Sequence, residues 1–335
     1  MKARKLTSFR KHGRGSVLVI CVWIVTILVL LAISIGRRAS FESRILRYHL
    51  SRAQAYCLAR SASERVYLEK AADKNVDYDY LQEDWSNKLK ADGSPEFKDF
   101  PLGGGTFTIK YSYPESEEPL YGMQDEQSKI NINTIIDSTG NEIKERRDEF
   151  VELLENLGYG AELADRFIDW TDSNDDGSYE ERYYSGQGLK PKNAPLDRLE
   201  ELIMIDGFTQ EIVDALTPYV TVYTNGEINV NTAPEEVLLA LGFNNNDEVP
   251  AILNYRADGD AIKEIISSPA ACSFLDADGK LCLSASKVKS DRLSCKSEIF
   301  RANSSGTVLN VTKRITSVVE IKSGTAPKQL YWYEE

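Results

Sequence analysis

From Ser16 to Ile35 the chain reads SVLVICVWIVTILVLLAISI, twenty residues without a charge. A helix rises 1.5 Å per residue, so a run of that length spans a hydrocarbon core of roughly 30 Å, and the pattern predicts a transmembrane helix at 16–35. A secretory signal has a shorter apolar run followed by a small-residue cleavage site, and neither stands here. The next stretch, 36–72, is rich in Ala, Leu, Arg and Glu, with neither Gly nor Pro after Gly36. Ile45, Tyr48, Ala55, Leu58, Ala62 and Val66 fall near helical spacing, which predicts one rod running from the span into the body.

Beyond a polar stretch at 73–99 the alternation changes to period two. Gly103 to Gly105 lead into TFTIKYSY at 106–113, and DEQSKININT at 125–134 places Ile130 and Ile132 on one face. SEIFRANSSGTVLNVTKRITSVVEIK at 297–322 predicts strands around a turn at Ser304-Ser305-Gly306. Between these regions the period is helical at 142–157, 161–170, 195–204, 209–218, 234–241 and 247–257, punctuated by Gly158, Gly207 and Gly242. KININTI at 129–135 recurs as EINVNTA at 227–233, where Thr232 can cap, Pro234 suits a first helical turn, and Glu235 and Glu236 complement the helix dipole. Two strand regions flanking a helical middle give an α+β chain. Its α/β domain at 73–134 and 292–335 is split by an insertion at 135–291, longer than any ordinary loop.

Charge narrows the function classes. The net charge is −12, and setting aside the six cations of the first fifteen residues leaves −18 on the rest. So acidic a body repels phosphate backbones, and no nucleic acid is expected as a partner. The basic start favours a cytoplasmic N-terminus with the bulk outside, although Arg37 and Arg38 on the far side reduce the asymmetry. The two histidines are His12, ahead of the span, and His49, in the long helix. None is left in the body to serve as a general base, so no enzyme is expected. The five cysteines form no C-x-x-C. Cys272, Cys282 and Cys295 cluster near the C-terminus, where an oxidising compartment would allow one bridge among them.

One segment carries site chemistry. In DWTDSNDDGSYEE at 169–181, Asp172, Asn174, Asp176 and Gly177 match the first half of an EF-hand loop, with oxygen ligands at alternate positions and Gly at the sharp turn. The twelfth position is Tyr183, so a further carboxylate must come from Asp169, Glu180 or Glu181. A structural Ca2+ is the expected cofactor. A shorter D-x-D-G at Asp276, Asp278 and Gly279 reads as a hairpin turn.

The junction Arg14-Gly15-Ser16, a basic leader (1–15) ending in Gly directly before an apolar helix, resembles the class III signal of type IV pilins and pseudopilins. The resemblance implies cutting by a prepilin peptidase between Gly15 and Ser16, methylation of Ser16, and a span kept on the mature protein. Most of the family carries Glu at the fifth mature position; here it is Ile20, the pattern of the protein K type of type II secretion minor pseudopilins. That type also resembles this chain in the I-N-V-N-T-A-P-E-E-V-L run, the D-W-x-D segment and calcium in an inserted domain. The likeness implies a pilin-like α/β domain with a large inserted all-α, helix-hairpin-helix or SAM-like domain. It also implies a single-pass inner-membrane protein with a periplasmic bulk, placed at the tip of a pseudopilus that exports folded proteins. The implied partners are the I-type and J-type minor pseudopilins, the major pseudopilin, the peptidase and the inner-membrane assembly platform. A minor pilin of a related type IV pilus system is the neighbouring alternative. A membrane-anchored DNA receptor of competence type is a rival, because LEELIMIDGFTQEIVDAL at 199–216 resembles a helix-hairpin-helix element; its Gly207 turn, however, is flanked by acids.

Overall fold

The computed structural model describes residues 15–75, 77–174, 176–186, 188–267, 272–283, 288–322 and 324–335. The leader, apart from Gly15, lies outside the described residues. The chain divides into two compact units, 1–53 and 54–335. Helix α1, Gly15–Ala71, has its apolar stretch in the first unit, where the side chains from Val17 to Ile35 are exposed. Among the described residues it is the one helix long and apolar enough to cross a membrane, with a mean hydropathy of 3.1 over its most apolar window.

The second unit holds two apolar cores. The first lies between the end of α1 and a six-stranded antiparallel sheet. Its strands are β1 Phe100–Leu102, β2 Gly105–Ile109, β3 Gln124–Asp125, β10 Ile299–Val308, β11 Val311–Glu320 and β12 Lys328–Glu334, in the order β1-β2-β10-β11-β12 with β3 also on β10. A short helix α2, Asp84–Asn87, carries the buried Trp85, whose ring meets Phe300 edge-on. Alanines at 55, 59 and 62 let α1 lie close on β10, and Gly306 is the strand residue beneath it. A Cβ there would stand 2.1 Å from the Ala55 carbonyl oxygen and 2.6 Å from the Ala59 nitrogen.

That approach explains why the expected turn at Ser304-Ser305-Gly306 is absent. These residues continue β10, with Ser304 hydroxyl 2.9 Å from that of Ser63 on the helix. Gly306 serves helix packing, and the chain reverses after Val308, at Leu309, which takes a φ of 53° without the Asn-Gly that marks such turns. The predicted strand at 125–134 is likewise broken into β3, a 3₁₀ turn at Glu126–Ser128, β4 Ile130–Asn131 and a second 3₁₀ turn at Ile132–Ile135. The strand β12 is not expected from the sequence pattern.

The second core belongs to the helical unit. It is built from α3 Lys144–Asn156, α4 Glu162–Thr171, α5 Glu181–Ser185, α6 Gln210–Leu216, α7 Glu235–Ala240 and α8 Glu248–Ala257. Gly158 and Gly242 follow the ends of α3 and α7 with φ of 83° and 97°, the left-handed geometry that ends a helix. The helix expected at 195–204 is a 3₁₀ turn, Leu199–Met204. Three short parallel pairings run through this unit. They join β4 to β5 (Val220–Thr221), β6 (Ile228–Asn229) to β9 (Leu293–Ser294), and β7 (Glu264–Ile266) to β8 (Lys280–Cys282). Ile130, Ile132 and Leu293 all lie in this core, so it reaches a few residues beyond 135–291 on both sides.

Candidate functional site

The repeated I-N-x-N-T peptides are structurally equivalent. In the first, Asn131 accepts from the Asn133 backbone N–H, and Asn133 braces Leu196 by accepting from its N–H and donating to its C=O, at 2.9 and 2.8 Å. In the second, Asn229 accepts from the Asn231 N–H, and Asn231 braces Ile262 in the same way, at 2.7 and 2.8 Å. Thr134 and Thr232 each donate back to the first asparagine's carbonyl. Each asparagine pair thus satisfies buried backbone groups that no sheet neighbour reaches. The helical unit is a tandem of two copies, each a peptide, a helix, a glycine, a second helix, and a strand returning parallel to the peptide.

The copies differ in where the first asparagine sends its amide. Asn131 donates to the Thr224 carbonyl within the helical unit. Asn229 donates to the Asp79 carbonyl at 3.1 Å, to Ser297 Oγ at 2.8 Å and to Asp125 Oδ2 at 3.3 Å. Asp125 also accepts from Thr232 Oγ1 and Ser297 Oγ. Burial pushes the Asp125 carboxyl up to about 6 against the pull of those hydroxyls. Beside it, Glu126 accepts from Arg301, from Lys129 and from Thr221 Oγ1. Burial opposes its charge, yet Arg301 and Lys129 outweigh that and hold it down at about 2. A buried, charged and hydroxyl-lined seam therefore joins the two cores.

The acidic loop starts at the end of α4, which carries Asp169 on its buried face, and Asp172 is the first residue beyond the helix. Asp169 accepts the Tyr179 N–H at 2.8 Å, and Gly177 passes so close that a Cβ there would lie 2.2 Å from the Asp169 carboxyl. Asn174 donates to Asp172 Oδ2 at 2.6 Å and accepts from the Asp176 N–H at 2.8 Å. Asp172 is 5% exposed, and its Oδ1 has no hydrogen-bond partner. Burial, then the charge of Asp169, pushes its carboxyl up to about 6. Glu180 is buried, whereas Glu181 is exposed and spends its carboxylate on Lys190. Asp169, Asp172 and Glu180 are buried whereas Asn174, Asp176 and Glu181 are exposed, and among the described residues no three carboxylates of the loop bring oxygens within 4.8 Å of one another. The donors are of the oxygen type that suits a hard cation such as Ca2+, with Asp172 Oδ1 left over.

A second acidic group carries no signal in the sequence. Asp73, Asp79 and Glu83 bring carboxylate oxygens within 4.8 Å of one another where α1 ends. The Lys70 ammonium already sits there, paired with Asp73 and Asp79 and facing the Trp85 ring at 5.8 Å. Burial pushes Glu83 up to about 7, against the hydrogen bond from Trp85 Nε1. Spacing alone could not reveal this group, because its members lie in a stretch that shows no periodicity.

Arg166 is paired with Asp206, Tyr183 donates to Asp206 at 2.6 Å, and the Thr209 hydroxyl takes the Ile212 N–H at the start of α6. Asp276 closes a turn, accepting from the Asp278 and Lys280 N–H groups, with Gly279 at φ 83°. The bridge among the three C-terminal cysteines joins Cys272 to Cys282, with Cα atoms 6.2 Å apart, and Cys295 is free.

Residues 128–225, the first of the two copies, match the family model described as type II secretion system (T2SS), protein K. No curated protein matches the sequence. Among solved structures, a chain of the GspK-GspI-GspJ complex from the type 2 secretion system of enterotoxigenic Escherichia coli shares the fold. The TM-score is 0.62 at 17% identity, over 87% of this chain and 99% of that one. Residues 128–225 therefore form a domain similar to that of type II secretion system protein K, and the chain as a whole shares the fold of the GspK-GspI-GspJ complex chain.

Proposed function

We propose that this protein is a minor pseudopilin of a type II secretion system, a non-enzymatic component that starts or caps the pseudopilus from its tip. The observation that carries the reading is the conjunction of the protein K domain at 128–225 with the one helix among the described residues that is apolar and long enough to cross a membrane, which bears no acid at Ile20. A carboxylate inside the bilayer is costly unless it meets a partner charge, and a terminal subunit has no neighbour beyond it. In this reading the leader is cut between Gly15 and Ser16, the helix anchors in the inner membrane, and the bulk faces the periplasm. The partners are the I-type and J-type minor pseudopilins and the major pseudopilin. Ca2+ at Asp169, Asp172, Asn174, Asp176 and Glu180 holds the acidic loop as a structural ion.

The test is loss of function with a defined intermediate. Deleting the protein should leave folded export substrates trapped in the periplasm, with their passage across the inner membrane unchanged. Restoring the intact chain should release them, and a chain with Gly15 replaced by a bulky residue should stay unprocessed and fail to do so. Normal export in the deletion strain would overturn the reading.

A further inference from the structure

The two cores of the second unit share no apolar residue. One is made of residues between Ala55 and Met123 and between Phe300 and Ile321; the other lies between Ile130 and Leu293. The backbone crosses from one to the other only at 124–129 and at 294–299. What holds the halves together is mainly polar: Asn229 on Asp79, Ser297 and Asp125; Thr221 on Glu126; and the Arg256 guanidinium on Tyr113 Oη at 2.7 Å, with the Tyr223 ring against Tyr331 at 5.9 Å between centroids as an aromatic contact. Because neither core continues across this interface, separation loses little hydrophobic free energy, and each half keeps its own core when it parts.

The internal repeat supplies a control that most interfaces lack. Both copies carry the same peptide with the same backbone braces, yet only the second turns its first asparagine outward to the sheet half. Asn229 is fully buried, and its amide reaches three acceptors, Asp125 and Ser297 in the two crossings themselves and Asp79 in the 73–83 stretch. We propose that the seam is a hinge at which the helical unit undocks from the sheet unit as a folded body, and that Asn229 is the positioning residue that fixes the docked state. Such a device lets one half keep its place in an assembly while the other changes direction.

The experiment uses the full chain in detergent micelles, with Cys21, Cys57 and Cys295 changed to Ser and spin labels at Glu155→Cys on α3 and Thr312→Cys on β11. The native chain should give one narrow distance distribution. Asn229→Ala should at least double its width or add a second, longer population, with the helical and sheet cores both still folded by circular dichroism. Thr232→Val, which removes the hydroxyl that Asp125 and the Asn229 carbonyl share and leaves the Asn229 amide in place, should broaden it less. Asn131→Ala removes the matching bond inside the helical unit, so it should lower the melting temperature and leave the distribution narrow. An unchanged width in Asn229→Ala, equal broadening in Asn131→Ala, or joint loss of both cores without a longer population would overturn the proposal.

Discussion

The two copies of the I-N-x-N-T unit show how one local solution is put to two uses. Both spend their second asparagine on the backbone, at Leu196 in the first copy and Ile262 in the second, because short parallel strand pairs leave those groups without a ladder. Past that point they part. The first copy carries the long acidic loop between α4 and α5 and keeps Asn131 within itself. The second closes its distal segment with the Cys272–Cys282 bridge and turns Asn229 to the sheet. One copy is staked by charge and the other by a covalent bond.

The largest effect should come from breaking the shared brace. Asn231→Ala leaves the N–H and C=O of fully buried Ile262 unpaired, at a cost of about 4 kcal/mol. Asn133 is only partly buried, so Asn133→Ala should cost about half as much; denaturant unfolding of the two variants checks the ratio. The staples come next. Cys272→Ser opens a short loop and should remove about 3 kcal/mol, read as a lower melting temperature that reducing agent reproduces in the native protein. On the first copy, free Ca2+ at about a hundred times its dissociation constant should add roughly 2.7 kcal/mol. Asp172→Ala with Asp176→Ala should abolish that response, and Mg2+ should substitute poorly because it demands a tighter octahedral shell.

The smallest effect is a pH dependence on the second copy's side. Glu83 sits beside Asp79, whose carbonyl Asn229 holds, and its carboxyl stands at about 7 in the folded chain. A carboxyl raised above its unfolded value favours the protonated fold. Its contribution is therefore full below the ordinary carboxylate range and is lost as pH rises through 7. At pH 6 the native chain should take up about one proton more on folding than Glu83→Gln does, measured from the slope of stability against pH. Equal slopes in the two proteins would remove Glu83 as the group responsible.

Much of this fold is legible in the sequence wherever a single requirement sets a residue. The apolar run at 16–35, the glycines after α3 and α7, and the recurring I-N-x-N-T each answer to one cause, and the structure places helices, helix ends and equivalent loops there. Where two requirements compete, the pattern misleads. Ser304-Ser305-Gly306 has turn composition, but Gly306 is small because α1 lies on it. At the acidic loop the sequence shows oxygen donors at alternate positions, but not that Asp172 and Glu180 are buried while Asp176 is exposed and Glu181 turns to Lys190. The seam is illegible because Asp79, Asp125, Asn229 and Ser297 come from four distant parts of the chain, and only the fold brings them together.

The central claim, a minor pseudopilin built around a protein K domain, is tested most directly by isolating the intact chain from native membranes and identifying what comes with it. The account predicts the I-type and J-type minor pseudopilins in equal amount with this chain, with its N-terminus beginning at Ser16. Recovery of the chain without either of them, under conditions where those two proteins still hold each other, would contradict it.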